Sequence, residues 1–192
     1  MATPWSVPKI WVGETVAILA SGPSMSQSVA DRAAKYIMIA VNDTFRLAPE
    51  ATMLYAADAK WWECNPEAVH FKGLKVTVDA RTTFPEVKLL KASKVDGFDP
   101  DPGKLCTGGN SGYQAVHLAI HAGAKRILLA GFDMKGAHFF GKHKSPLVNT
   151  DYVSFEHWKS RFPALKDRGA EIINCSPNSS LHCFPFGSLE DG

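Results

Sequence analysis

Two histidines, His138 and His143, stand five positions apart in a polar stretch, and Asp133 stands just before them. Neutral imidazole takes up a proton near physiological pH, so either histidine could act as the base for a hydroxyl nucleophile. The same trio could ligate a metal, but no fourth ligand is evident and no metal site is assigned. Small polar residues gather in four other places: Ser21-Gly22-Pro23-Ser24, Asn42-Asp43, Gly109-Asn110-Ser111-Gly112 and Pro177-Asn178-Ser179. Such turns let a backbone come close to a bound group, and at a helix N-terminus they present free N–H groups to an anion. Each also has a plainer explanation. Ser24 and Asn42-Asp43 could be helix caps, the glycine-rich segment a flexible loop ending in an N-cap, and Asp133 a solvated carboxylate.

What distinguishes these explanations is where the surrounding elements put the residues. Short apolar runs rich in Val, Ile and Leu predict strands at Thr15 to Ala20, Tyr36 to Val41, Thr52 to Ala57, Leu74 to Val78, Arg126 to Gly131 and Ala170 to Asn174. The first, second and fifth are apolar on both faces, as parallel strands covered by helices on both sides must be. Helical patterns come between them: Ser26 to Lys35, Asp58 to His70 with Pro66 interrupting, Ser111 to Ala122, and Val153 to Arg168. Gly123 and Gly169 stand where C-caps belong. This alternation predicts a doubly wound α/β fold with a mainly parallel sheet of about six strands and helices on both faces. In such sheets ligands bind beyond the carboxyl ends of the strands, and that is where the small polar segments and Asp133 fall. Independent caps have no reason to converge on one rim together with two histidines.

The rest of the chain narrows the classes. A formal charge of +2 over 192 residues, with no basic run, gives no footprint for nucleic acid. No stretch has the pattern of a secretion signal or the length of a membrane span, so a cytoplasmic protein is expected. Four cysteines without a CxxC pair suit reduced, buried thiols. The glycines do not follow GxGxxG, which disfavours a dinucleotide enzyme, and there is no GxxxxGK[ST] phosphate loop. Pro85 to Pro102 shows no periodicity and is expected to be loop. Residues 1–192 are expected to form one domain, with an N-terminal arm over 1–13 and a short insertion over 134–150 covering the site. The arm's Pro4-Trp5, Pro8 and Trp11 suggest packing on the sheet edge or an interface, including one between copies of the chain. Trp61-Trp62 could stack on a ligand but fit helix packing better, and packing also explains His117 and His121, which share a helix face.

The segments "ILASGPSM" (18–25), "AVNDTF" (40–45), "GGNSGYQAVHLAIHAGAKRILLAGFDM" (108–134), "HFFGKH" (138–143) and "CSPNSSL" (175–181) resemble, in order, those of bacterial sialyltransferases that use CMP-sialic acid. They are also similar to a wider group of Rossmann-like domains that includes an archaeal hydroxymethylpterin pyrophosphokinase and phage or prophage proteins. The resemblance implies that Ser21 takes the place of an asparagine beside the cytidine nucleotide, with Gly22, Pro23 and Ser24 forming the turn beneath it. It places Asn42 on the nucleotide, Asn110, Ser111 and Gly112 at the donor, and Pro177, Asn178 and Ser179 beside the phosphate. His143 takes the place of the general base, although Gly141-Lys142-His143 makes its block one residue longer than the family's. The family's long lid with two tyrosines is missing, because only Met134-Lys135-Gly136-Ala137 separates Asp133 from His138.

The expectation that follows is a protein binding a nucleotide or nucleotide-sugar, CMP type favoured, and acting as a glycosyltransferase-like transferase. In it Ser21 to Ser24, Asn42, Asp43, Gly109 to Gly112, Asp133 and Pro177 to Ser179 would hold the donor. His143, with His138, would handle the acceptor proton. No tightly bound cofactor is expected. The alternatives are a non-catalytic binding module, as in phage or prophage proteins working in a host cytoplasm, and a pyrophosphoryl transferase needing Mg²⁺ near Asp133 or Asp58.

Overall fold

The computed structural model describes residues 2–149 and 151–190. Met1, Thr150, Asp191 and Gly192, the outer ends of the expected arm, insertion and domain, lie outside them. The strands are β1 (Thr3–Pro4), β2 (Thr15–Leu19), β3 (Ile37–Val41), β4 (Met53–Tyr55), β5 (Leu74–Thr77), β6 (Val87–Leu89), β7 (Lys91–Ser93), β8 (Lys104–Cys106), β9 (Arg126–Ala130) and β10 (Glu171–Asn174). The helices are α1 (Gln27–Ala33), α2 (Ala59–Cys64), α3 (Ser111–His121) and α4 (Tyr152–Arg161). Eight strands pair in the order β1-β6-β5-β4-β3-β2-β9-β10, every pairing parallel. The doubly wound α/β architecture is therefore the observed one, with two more strands in the sheet than the six expected.

Alternation along the strands divides the apolar residues between two faces. Val16, Ile18, Ile39, Val41, Ile127 and Leu129 pack under α3, whereas Ala17, Leu19, Met38, Ala40, Leu128 and Ala130 pack with α1 and α2. A strand with both faces covered must be apolar throughout, which is why period-2 patterning is invisible in β2, β3 and β9. Both tryptophans of α2 are buried. Trp62 anchors its indole N–H on the Ala56 carbonyl (3.1 Å) and packs rather than stacking on a ligand.

The segment expected as loop, Pro85 to Pro102, instead supplies β6 to the main sheet and β7 to a separate parallel pair with β8. Three-residue strands are too short to show a period. The N-terminal arm completes the sheet edge: β1 pairs with β6, and Pro4, which has no N–H to give, sits where an outermost strand tolerates it. Trp11 is buried and Trp5 packs on the same core, so the arm's aromatics offer no ground for an interface. The Val153 to Arg168 helix stops at Arg161 and continues as a 3-10 turn over Phe162–Leu165, because Pro163 lacks the donor that an α-helix would need. Pro66 does the same after α2. Gly123, at φ +90°, is the left-handed residue that follows the end of α3, whereas Gly169, also left-handed at φ +92°, lies beyond the 3-10 turn that ends at Leu165 and caps no helix. The four cysteines are free thiols, but only Cys106 is buried; Cys175 and Cys183 are half-buried and Cys64 is exposed.

His117 is fully buried on α3. Its Nδ1 accepts the Cys106 N–H (3.2 Å) and its Nε2 faces the Asp99 carbonyl (3.0 Å), an arrangement that fixes a neutral ring. Burial, with a small contribution from nearby His121, pushes its pKa down to about 4. The unfolded chain therefore takes up a proton near pH 6.5 that the folded chain refuses until near pH 4. This contribution is complete above the unfolded value, is lost as pH falls between the two, and amounts to about 3 kcal/mol. Urea midpoints should fall from pH 7 to pH 5, above the main carboxylate titrations, and His117→Gln should flatten that limb. An unchanged slope in the variant would assign the acid sensitivity elsewhere.

Candidate functional site

The chain leaves β2 toward β3 on one side and enters β9 on the other, so the sheet's order switches between β2 and β9. A crevice must open beyond their carboxyl ends. The structure places there a cleft of about 670 Å³, within the range of small-molecule sites.

Its floor depends on close backbone approach. A Cβ on Gly22 would stand 2.1 Å from Asp133 Oδ2 and 2.4 Å from the Gly131 carbonyl. Gly131, at φ +74°, leaves room for a Cβ only 2.2 Å from the Ala20 carbonyl. Asp133 is buried and clamps the two strand ends together: its Oδ2 accepts from Ser24 Oγ (2.8 Å) and the Ser24 N–H (3.3 Å). Neither Ser24 nor Asp133 lines the cleft, and Ser24 is not a cap, since Ser26 accepts the Val29 N–H at the start of α1. Pro23 is likewise part of the turn and not of the wall.

Asn42 does line the cleft, held at φ +52° by the sharp turn after β3. That turn is fastened by Thr44, whose hydroxyl accepts the Val41 N–H (2.8 Å) and donates to the Leu19 carbonyl (2.7 Å). Asp43 points away. It accepts the Trp61 indole N–H (3.0 Å) and pairs with Arg46, so its role is structural. Pro177, Asn178 and Ser179 also miss the cleft: Pro177 and Asn178 are exposed, and Ser179 is buried with its hydroxyl on the Phe132 carbonyl (2.5 Å). This turn supports Phe132 and Asp133 from behind, and Ser180 N–H adds a bond to the Asp133 carbonyl (2.9 Å).

The glycine-rich segment forms the opposite wall. Gly109, Asn110, Ser111 and Gly112 all line the cleft. Gly108 and Gly109 have φ of +52° and +69°, and Asn110 caps α3 by accepting the Tyr113 N–H (3.0 Å). The N-terminal N–H groups of an 11-residue helix therefore open toward the cavity, where the helix dipole favours negative charge. Behind this wall, Gln114 donates to the Thr107 carbonyl (2.8 Å) and receives the Tyr55 hydroxyl, tying the loop to β4.

The loop after β9 closes the third side. Phe139 N–H donates to the Ser21 carbonyl (3.0 Å), and His143 and Asn149 exchange backbone and amide bonds of 2.7 and 3.1 Å. His138 and His143 both face the cleft with ring centroids 4.6 Å apart, and Phe140 stacks on His138 at 4.9 Å. Burial, then the neighbouring His143, holds the His138 pKa below the ordinary histidine value, so its ring is neutral at pH 7. Lys135 and Lys142 stand exposed at the mouth, without an ion-pair partner among the described residues. Among the described residues no group of three or more His, Cys, Asp or Glu is placed to hold a metal ion.

Sequence reasoning missed Lys135, Lys142, Phe155 and Trp158 as members of the cleft, and it read Trp61 chiefly as packing and named Asp58 only in the magnesium-dependent alternative, although both line it. Their signal was present only for Asp58 and Trp61, which directly follow β4. Phe155 and Trp158 come from α4, whose apolar face has no turn residue to mark it as a wall.

Comparison of the chain with protein families, with curated proteins and with solved structures finds no match in any of the three. Among the described residues no helix is long and apolar enough to cross a membrane. Gly22→Ala should destabilise the fold by about 2 kcal/mol or more through backbone overpacking, measured as a lowered urea midpoint. A neutral effect would mean that the strand ends can separate without loss.

Proposed function

We propose that the cleft binds a phosphate-bearing small molecule of the nucleotide or nucleotide-sugar class, CMP type favoured, and that the protein is a glycosyltransferase-like transferase. The observation that carries the reading is the α3 N-terminus opening into a closed-backed cleft whose mouth holds two unpaired lysines. Dipole, free N–H groups and cationic rim all act on the same sign of charge, which is that of a phosphate. Ser21, Gly22, Asn42 and Gly109 to Gly112 form the binding walls, and Trp61, Phe155 or Trp158 offers an aromatic face to a base.

His143 is the proposed general base and His138 its neighbour. For transfer, the imidazole nitrogen takes the proton of an acceptor hydroxyl as its oxygen bonds to the donor's anomeric carbon. The carbon–oxygen bond to phosphate breaks in the same event, and the nucleotide leaves with the electron pair. A neutral imidazole is needed at the start, and burial holds the neighbouring His138 below its ordinary pKa. The leaving phosphate's charge would be met by the α3 N-terminus and by Lys135 or Lys142, since the chain lacks the resembled family's lid with its two tyrosines.

The two alternatives give different results in the same assays. Melting temperature should rise with one of CMP, CDP, UDP, GDP, ADP or their sugars, and the rise should not require Mg²⁺. His143→Ala should leave that shift within about twofold in affinity while lowering turnover by 10²- to 10⁴-fold. Activity abolished by EDTA would instead favour pyrophosphoryl transfer, and binding without turnover in the unaltered protein would favour the binding module.

A further inference from the structure

Asp58 is the residue before the first turn of α2, the position at which an aspartate ordinarily accepts a backbone N–H of the helix. It makes no such bond. Asp79, from the loop after β5, takes over that task by accepting the Ala59 N–H (3.0 Å). Arg81 then holds Asp79 in place with two bonds, of 2.9 and 2.7 Å, so the substitute cap is firmly built. The Asp58 carboxylate is thereby released from the helix and lines the cleft, with no hydrogen bond to any described residue. The two cations that line this part of the cleft are paired, Lys60 with Glu63 (3.0 Å) and Arg81 with Asp79 (2.7 Å).

A carboxylate left in this way is exposed at the cleft and free to accept from a ligand. Partial burial, then the neighbouring Asp79, raise its pKa against a smaller opposing effect of Arg81. Lys60 and Arg81 line this end too but are paired with Glu63 and Asp79, which leaves Asp58 as the uncommitted acceptor there, suited to hydrogen-bond donors of a ligand. Vicinal hydroxyls are the donors that such ligands carry, and a carboxylate accepts two of them at once.

Resting on the phosphate-binding reading of the same cleft, we propose that Asp58 is a specificity-determining residue that recognises a vicinal diol of the ligand, either the ribose or the attached sugar. The cleft then takes phosphate at the α3 end and hydroxyls at the Asp58 carboxylate.

Calorimetric titration of the full chain with inorganic pyrophosphate, CMP, 2′,3′-dideoxy-CMP and CMP-sialic acid tests this, comparing the unaltered protein with Asp58→Ala and Asp58→Asn. Asp58→Ala should weaken CMP-sialic acid about 10- to 100-fold, the value of charge-assisted bonds to hydroxyls, while leaving pyrophosphate equal or tighter. If the diol is the ribose, CMP loses as much as CMP-sialic acid, and dideoxy-CMP already binds the unaltered protein weakly. If it is the sugar, CMP is unaffected. Asp58→Asn, which keeps one acceptor oxygen, should fall between. Because the side chain supports nothing in the fold, both variants should melt at or above the temperature of the unaltered protein. Equal effects on pyrophosphate and CMP-sialic acid, or none on either, would overturn the role of Asp58. Failure of the unaltered protein to bind any of the four would overturn the phosphate reading itself, and this inference with it.

Discussion

The clamp between Ser24 and Asp133 is the contact on which the site depends. It joins the turn after β2 to the turn after β9, and these are the two strands at which the sheet changes direction. Without it a buried carboxylate would lose its hydrogen bonds, a loss of about 1–3 kcal/mol, and the floor of the cleft would have two independent halves. Gly22 and Gly131 let the backbones come close enough for the clamp to form. The Phe139 N–H on the Ser21 carbonyl then docks the histidine loop on the turn so fixed. The glycine-rich wall is located separately, through Gln114 and Tyr55, so the two walls are referenced to different strands of one rigid sheet.

This division explains which residues could be read in the sequence and which could not. Long apolar strands and glycine-rich turns carry their own signals, so β2, β3, β9, the turn at Ser21-Gly22 and the α3 N-terminus were legible. Residues that serve the site from behind have the same composition as those that enter it. Ser24, Asp43, Asp133 and Ser179 are small and polar at strand ends, like Ser21 and Asn42, but their side chains satisfy one another or the backbone. Spacing along the chain cannot tell inward from outward at a turn, because a single φ reversal, such as that at Asn42, decides it. The short strands β1, β6, β7 and β8 escaped for a different reason: they are held by neighbours rather than by their own pattern.

Histidines show the same point through electrostatics. His117 and His138 are both kept neutral chiefly by burial. His117 has both ring nitrogens on backbone groups and is finished as a structural residue. His138 and His143 stand on a loop, open to a cavity, with each other and Phe140 as ring neighbours. Neutrality is shared by a core packing residue and a proton acceptor, so exposure to the cleft separates them where basicity cannot.

The start of α2 follows the same logic in reverse. Most aspartates near the cleft rim are occupied: Asp43 by Trp61 and Arg46, Asp79 by Ala59 and Arg81, Asp133 by Ser24. Asp58 is the exception, and it is so because a second carboxylate was brought from the β5 loop to do what Asp58 ordinarily would. Folding alone gives no reason to use two aspartates and an arginine where one aspartate suffices. The added residues stabilise the helix end while leaving a carboxylate open to the cavity, where its acceptor oxygens face what enters the cleft.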